Sequence, residues 1–391
     1  MIKRNMILFK WDNFFGGLWP LATLVIIYFE QITHSYAWAM AVFSVCSLST
    51  MCMEIPTGIL SDKIGRRKTL IWAAVSIFIC FALWALAGQL RQTWMLFAGA
   101  FLWGISNALL SGTDEALMYE TMEELGRSDQ FDILYAKSSG WNQIGLGVSA
   151  LSAAVITYYF SLQTLAWFSF VLAIGQLIIA FLYVEPKEIK KKHQVTSFKH
   201  FLIAFRKLKR NRRLRFYAII DTFSRAVGFA SHRFESAYFA TLIPEWLINL
   251  ARLCKQICGT ISFFLFPYVK KWRMIPLFFG SMAANVIIRS IGVCINTVAT
   301  PFIMAGVNLF YGVEQTSGTT ILQKEFSAAQ RATMKSIISF MSNLVQAAML
   351  FFFGWLADFS SPRTAILFAI LTKGGVLACS LIILKKAIVK K

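Results

Sequence analysis

The chain has 391 residues, of which 57% are hydrophobic and 15% charged, where a soluble domain carries about 25% charged residues. Its 39 Lys and Arg against 19 Asp and Glu give a formal charge of +20, and its mean hydropathy is +0.60. Apolar runs of about 20 residues, the length that crosses a bilayer, recur along the whole sequence and leave no long stretch for a separate soluble domain.

In chain order, Lys3 and Arg4 precede a short apolar run, but Lys10 and Asp12 interrupt it and no small-x-small cleavage site follows. This pattern predicts an uncleaved start with the first span opening near Asp12. Twelve spans follow, at 12–32, 36–60, 69–88, 93–119, 138–160, 163–184, 216–241, 244–269, 274–296, 299–322, 333–357 and 363–384. The expected fold is an all-α membrane protein whose twelve transmembrane helices form two pseudo-symmetric six-helix bundles, 1–184 and 216–391, joined by a basic cytoplasmic linker at 185–215.

The basic residues test this map. Of the 39 Lys and Arg, 31 fall in the termini and alternate loops of one side, two (Arg91 and Arg363) in loops of the other, and six inside spans, with Lys335 and Arg363, at the first turns of their spans, counted with the adjoining loops. Cytoplasmic loops collect Lys and Arg, so both termini and the linker are expected in the cytoplasm. The charge is dispersed over many loops, which argues against nucleic acid as a partner; the runs Lys190–Lys192 and Arg206–Arg210 could also lie on anionic membrane lipid. The seven cysteines fall inside predicted spans. Cys254 and Cys258 share a helix face, yet no His or further Cys completes a metal set, so no metal is expected and the thiols read as buried apolar filler.

The loop between the second and third spans reads Gly58-Ile-Leu-Ser-Asp62-Lys-Ile-Gly65-Arg66-Arg67-Lys68. It is similar to the G-x-x-x-D-[RK]-x-G-[RK]-[RK] signature of major facilitator superfamily transporters. Ser111–Leu117 resembles span four of the bacterial efflux-type, twelve-helix members, and Arg331–Ser336 also looks like the family. The resemblance implies a cytoplasmic gate built from Glu54, Gly58, Asp62, Gly65, Arg66 and Arg67. In that gate Gly58 allows close helix approach, Gly65 permits the turn and Asp62 accepts hydrogen bonds or pairs with a cation. The second basic hairpin, Lys270–Arg273, lacks the Asp and both glycines. The halves echo each other, with Gly104, Asp114 and Glu115 paralleling Gly306, Glu314 and Gln315. Two patterns of the family are missing: Ala100 stands where an Arg is common, and span five has Gly140, Gly145 and Gly147 without a Gly-Pro pair.

Ionisable groups at bilayer depth are costly and mark candidate sites. Asp114, Glu115, Glu314 and Asp221 are the proton-coupling candidates, with Asp114 foremost. Arg225, Arg233, Arg252, Lys255 and Arg289 are the substrate-cavity candidates. Asp221 and Arg225 are spaced to pair along one helix face. Glu54 fits a latch more readily than a substrate contact, and Pro56 could kink its helix. No nucleophile–base set or phosphate loop stands out, so neither an enzyme nor a cofactor is expected.

The resulting expectation is a monomeric secondary active transporter of the bacterial inner membrane. It would export a small organic molecule (drug-like, zwitterionic or siderophore-like) in exchange for protons. Proton-coupled uptake and a transporter-like receptor without flux are the alternatives.

Overall fold

The computed structural model describes residues 2–186, 212–269, 274–324 and 328–389. The described residues are overwhelmingly helical. Seven of their helices are long and apolar enough to cross a membrane, and large side chains such as Trp72, Trp94 and Ile178 stand exposed along them. An α-helix satisfies its backbone polar groups internally, which is what the hydrocarbon core demands.

They fall into two compact units: Met1–Val195 with Glu245–Leu250, and Thr196–Pro244 with Ala251–Lys391. The first contains α1 (Asn5–Gly17), α2 (Val25–Thr33), α3 (Tyr36–Ile64), α4 (Arg66–Leu90), α5 (Thr93–Leu110), α6 (Thr113–Glu124), α7 (Phe131–Tyr159) and α8 (Leu162–Leu182). Here α5 packs on α3 and α4, α1 on α7, and α4 on α8. Its core gathers Trp19, Phe29, Phe81, Trp84 and Trp103, with ring centroids 4.9–5.9 Å apart. Close approach is possible because a Cβ on Gly104 of α5 would sit 2.6 Å from the Cys46 carbonyl of α3, and one on Gly145 of α7 would strike the Phe14 carbonyl of α1. Side-chain caps start two helices: Ser35 accepts from the Trp38 N–H at 3.2 Å and Ser161 from the Thr164 N–H at 3.3 Å.

The second unit contains α9 (Arg212–Ala240), α10 (Glu245–Val269, whose first turn falls in the first unit), α11 (Met274–Ile295), α12 (Thr300–Ala305), α13 (Asn308–Lys324), α14 (Ala328–Phe359) and α15 (Pro362–Val389). In it α9 packs on α14 and α15, α11 on α13 and α15, and α14 on α15.

Each expected span coincides with helix, but three are interrupted. The first breaks between Gly17 and Val25, around Pro20 and a 3₁₀ turn. The fourth breaks at Ser111–Gly112, with Gly112 left-handed at φ 76°. The tenth breaks at Gly306–Val307. Two readings of small residues need correction. Cys46 and Cys80 are buried, whereas Cys52, Cys254, Cys294 and Cys379 are exposed, as an apolar thiol can be on a helix in lipid. A Cβ on Gly58, Gly140 or Gly147 would meet nothing within 4 Å, so close packing is not the role of these three glycines.

Candidate functional site

The hairpin between α3 and α4 turns on Gly65, whose φ of 92° is open to glycine and strained for other residues. The turn leaves the first N–H groups of α4 without helical partners. Glu185, beyond α8, fills that vacancy: its two carboxylate oxygens accept from the Arg66 and Arg67 N–H groups, each at 2.7 Å. Arg66 donates to Ser61 Oγ at 2.9 Å and reaches Glu120 of α6 at 3.5 Å. Arg67 donates to the Phe181 carbonyl at 2.9 Å. Asn5 of α1 exchanges two hydrogen bonds with the Val184 backbone, at 2.7 and 3.0 Å, and Arg4 donates to the Leu182 carbonyl. The end of the first bundle is thus tied to α1, and the first residue of the expected linker, Glu185, to α4. Of the expected gate, Gly65, Arg66 and Arg67 join this knot, while Gly58 stands in open space. Glu54 is half-buried in a helix that runs through Pro56 without a break. The Asp62 side chain lies outside the described residues.

A second group forms around the break in the fourth span. Sequence placed Asp114 and Glu115 deep in one continuous helix. They occupy instead the first turn of α6, and both are exposed. Acidic residues are favoured there by the unpaired N–H groups and the helix dipole. The Tyr135 hydroxyl of α7 donates to Glu115 at 3.4 Å. Asp12 of α1 accepts from the buried Tyr183 hydroxyl at 3.0 Å, and the Asp12 and Asp114 carboxylates lie close enough to repel each other. Sequence reasoning passed over Asp12 as a mere span boundary. Its signal was an acid inside an apolar run, the criterion applied everywhere else.

The second unit brings two of the five expected cationic residues onto one carboxylate and a third beside them. Glu235 of α9 is 3% exposed; it binds Lys255 of α10 and, at 2.6 Å, Arg289 of α11. Arg289 also donates to Ser231 at 2.5 Å. Arg252, one turn before Lys255, lies 2.6 Å from His232 Nε2, and Lys255 lies 3.2 Å from His232 Nδ1. A histidine nitrogen can accept from a cation only in the neutral ring, which offers one such nitrogen, so His232 accepts from Arg252 or from Lys255 and not from both. Arg233 sits over the Phe229 ring at 5.1 Å, a cation–π contact. At 1.5 Å per residue, Glu235 lies about 8 Å from the end of α9, Arg252 and Lys255 about 10 and 15 Å into α10, and Arg289 about 9 Å from the end of α11. Those ends are neighbours, because Tyr238 donates to Asn296 at 2.7 Å.

The remaining candidates stand elsewhere. Arg225 is exposed and acts on Tyr311. The Asp221 side chain, and with it the expected Asp221–Arg225 pair, lies outside the described residues. Glu314 of α13 is held by Lys373 of α15 at 2.8 Å, a pair sequence did not suggest because 59 residues separate its partners.

Comparison with known proteins bears on this arrangement. A stretch of 158 residues, 40% of this chain, is 26% identical to an uncharacterized transporter, BU466, of Buchnera aphidicola subsp. Acyrthosiphon pisum (strain APS), and the match spans 38% of that relative's length. Among solved structures, the nucleoside transporter NupG superposes with a TM-score of 0.77 at 16% identity, covering 97% of this chain and 98% of its own. A D-xylose–proton symporter superposes at 0.67 and 14%, covering 94% and 96%. A transporter of the POT family superposes at 0.70 and 15%, covering 98% and 96%. These identities establish shared fold. The family model of the Major Facilitator Superfamily matches residues 13–348, and the chain belongs to that superfamily of membrane transporters.

Proposed function

We propose that this secondary transporter moves a small organic molecule outward in exchange for protons. The observation that carries the reading is the acidic group of the first unit, where Asp12 accepts from Tyr183 and Glu115 from Tyr135 beside a broken helix that also carries Asp114. A proton taken up between Asp12 and Asp114 removes their repulsion, and its release restores it. Such a change in charge is what couples a proton to a conformational step. Asp12 therefore joins Asp114 and Glu115 as a coupling candidate. Glu314 is charge-balanced by Lys373 and fits a bracing role better.

The working unit is a monomer of two six-helix bundles, 1–184 and 216–391, whose movement alternates access to the solute. Both termini face the cytoplasm of a bacterial inner membrane, on the strength of the 31-to-2 division of loop Lys and Arg. Outward direction rests on the efflux-like Ser111–Leu117 stretch. Uptake is the second reading, favoured by the shared fold of a D-xylose–proton symporter.

The test uses the purified full chain in liposomes loaded with a pH-sensitive dye. Addition of candidate solutes should drive proton movement that is absent from protein-free liposomes, with the sign of the pH change giving the direction. Solute flux that never moves protons would refute the coupling.

A further inference from the structure

The charges around Glu235 do not balance. Arg252, Lys255 and Arg289 bring three positive charges to one carboxylate, and Glu235 is the sole acid acting on Arg252 and Lys255 among the described residues. The side chains of Lys255, Arg289 and Glu235 are 9%, 11% and 4% exposed. Buried cations without matching anions are costly. Arg252 is the least satisfied of the three. Its partner is the neutral His232 ring, and no carboxylate lies within salt-bridge distance of it among the described residues. Arg289 Nε is buried and has no hydrogen-bond partner among the described residues. His232 is the open edge of the cluster, with its side chain 36% exposed.

Taking the chain as a transporter in the sense proposed above, we propose that Arg252 and Lys255 receive an oxyanion group of the solute, a carboxylate or a phosphate, in the place His232 now occupies. A guanidinium presents a planar fork that fits two oxygens of either group. In the oxyanion's absence the histidine accepts from one of the two cations, and Glu235 keeps Lys255 and Arg289 aimed at the same point. A net excess of positive charge excludes a solute that is solely cationic. The transported molecule is then an organic acid, an organic phosphate, or a zwitterion whose acidic end enters here.

The test is binding to the full-length protein in detergent, read as a shift in melting temperature. The probes are succinate, citrate and glycerol 3-phosphate, against succinamide, glycerol and putrescine as neutral and cationic controls. At least one oxyanion should stabilise the protein with saturation, and the controls should not. A response to glycerol 3-phosphate alone assigns the site to phosphate, and one to the carboxylates alone assigns it to carboxylate. Arg252→Gln should weaken that binding about tenfold or more, the usual loss for a charged hydrogen-bonded partner. Arg252→Lys, which keeps the charge and loses the fork, should weaken it less. His232→Ala should leave affinity unchanged or raise it, because the site is vacated; a purely structural His232 would give lower stability and no gain. Three results would overturn the proposal: no response to any oxyanion, an equal response to the controls, or Arg252→Gln binding within twofold of wild type. Oxyanion binding that Arg252→Gln weakens, without solute flux in liposomes, would sink the transport reading and leave the site standing. Flux of a neutral solute with no oxyanion binding would do the reverse.

Discussion

Glu185 and the two glycines of the hairpin carry different amounts of free energy. Glu185 closes the exposed start of α4 with two 2.7 Å bonds, and losing an N-terminal cap costs about 0.5–2 kcal/mol. Glu185→Ala should therefore lower the melting temperature of the purified protein, and Glu185→Gln, which keeps one acceptor oxygen, should lower it less. Identical melting in all three would remove the cap from the account. Gly65→Ala forces a Cβ into φ 92° and against the Glu185 carboxylate, 2.9 Å away, a strain on the order of 1–3 kcal/mol. Gly58→Ala lies in open space inside α3 and should be neutral or stabilising by up to about 1 kcal/mol. Equal loss at both glycines, measured by thermal unfolding, would contradict this difference. The motif gave Gly65 the turn it makes and Gly58 a close approach it does not make, because sequence spacing records that a residue is small and leaves open what stands beside it. Glu185 was hidden for a related reason: its partners are 118 and 119 residues away, and nothing local announces them.

At the scale of elements, every span drawn from hydropathy falls on helix, and seven helices among the described residues have the length and apolarity of a crossing. Hydropathy failed where a span is broken, because a two-residue interruption, or the largely apolar one around Pro20, barely alters the mean hydropathy of a window. The signs at Ser111-Gly112-Thr113-Asp114-Glu115 were local ones: a residue suited to positive φ, then acids in a first helical turn. Read that way, the acid pair marks the start of α6 as well as a functional group. Gly112 adopts φ 76° with free space around it, so the penalty of a side chain there is conformational. Gly112→Ala should tilt the balance toward a continuous helix, withdraw Asp114 and Glu115 from the turn and slow solute flux, while membrane expression stays near wild type. Flux unchanged by Gly112→Ala would show that the break has no part in transport. The cationic cluster was half legible. Sequence named Arg252, Lys255 and Arg289 and could not see that Glu235 and His232 organise them, since the three helices meet only in the fold.

For the whole molecule, orientation and coupling are the properties that make a helical bundle a transporter. Orientation is accessible by labelling in a variant stripped of its seven cysteines, a precaution required because four of them are exposed. A cysteine at Ser128, in the exposed turn between α6 and α7, should resist an impermeant thiol reagent added to intact cells. A cysteine at Thr297, between α11 and α12 and also exposed, should react. The opposite pattern would invert the topology drawn from the basic loops. Coupling is tested most directly by solute accumulation driven by a pH gradient in liposomes, compared with solute exchange in its absence. The comparison runs over Asp12→Asn, Asp114→Asn, Glu115→Gln and Glu314→Gln, each normalised to reconstituted protein. Asp12→Asn and Asp114→Asn should abolish uphill accumulation and retain exchange, with Glu115→Gln and Glu314→Gln milder. If Asp12→Asn and Asp114→Asn both still concentrate the solute against its gradient, these carboxylates do not carry the coupling proton and the central claim is wrong.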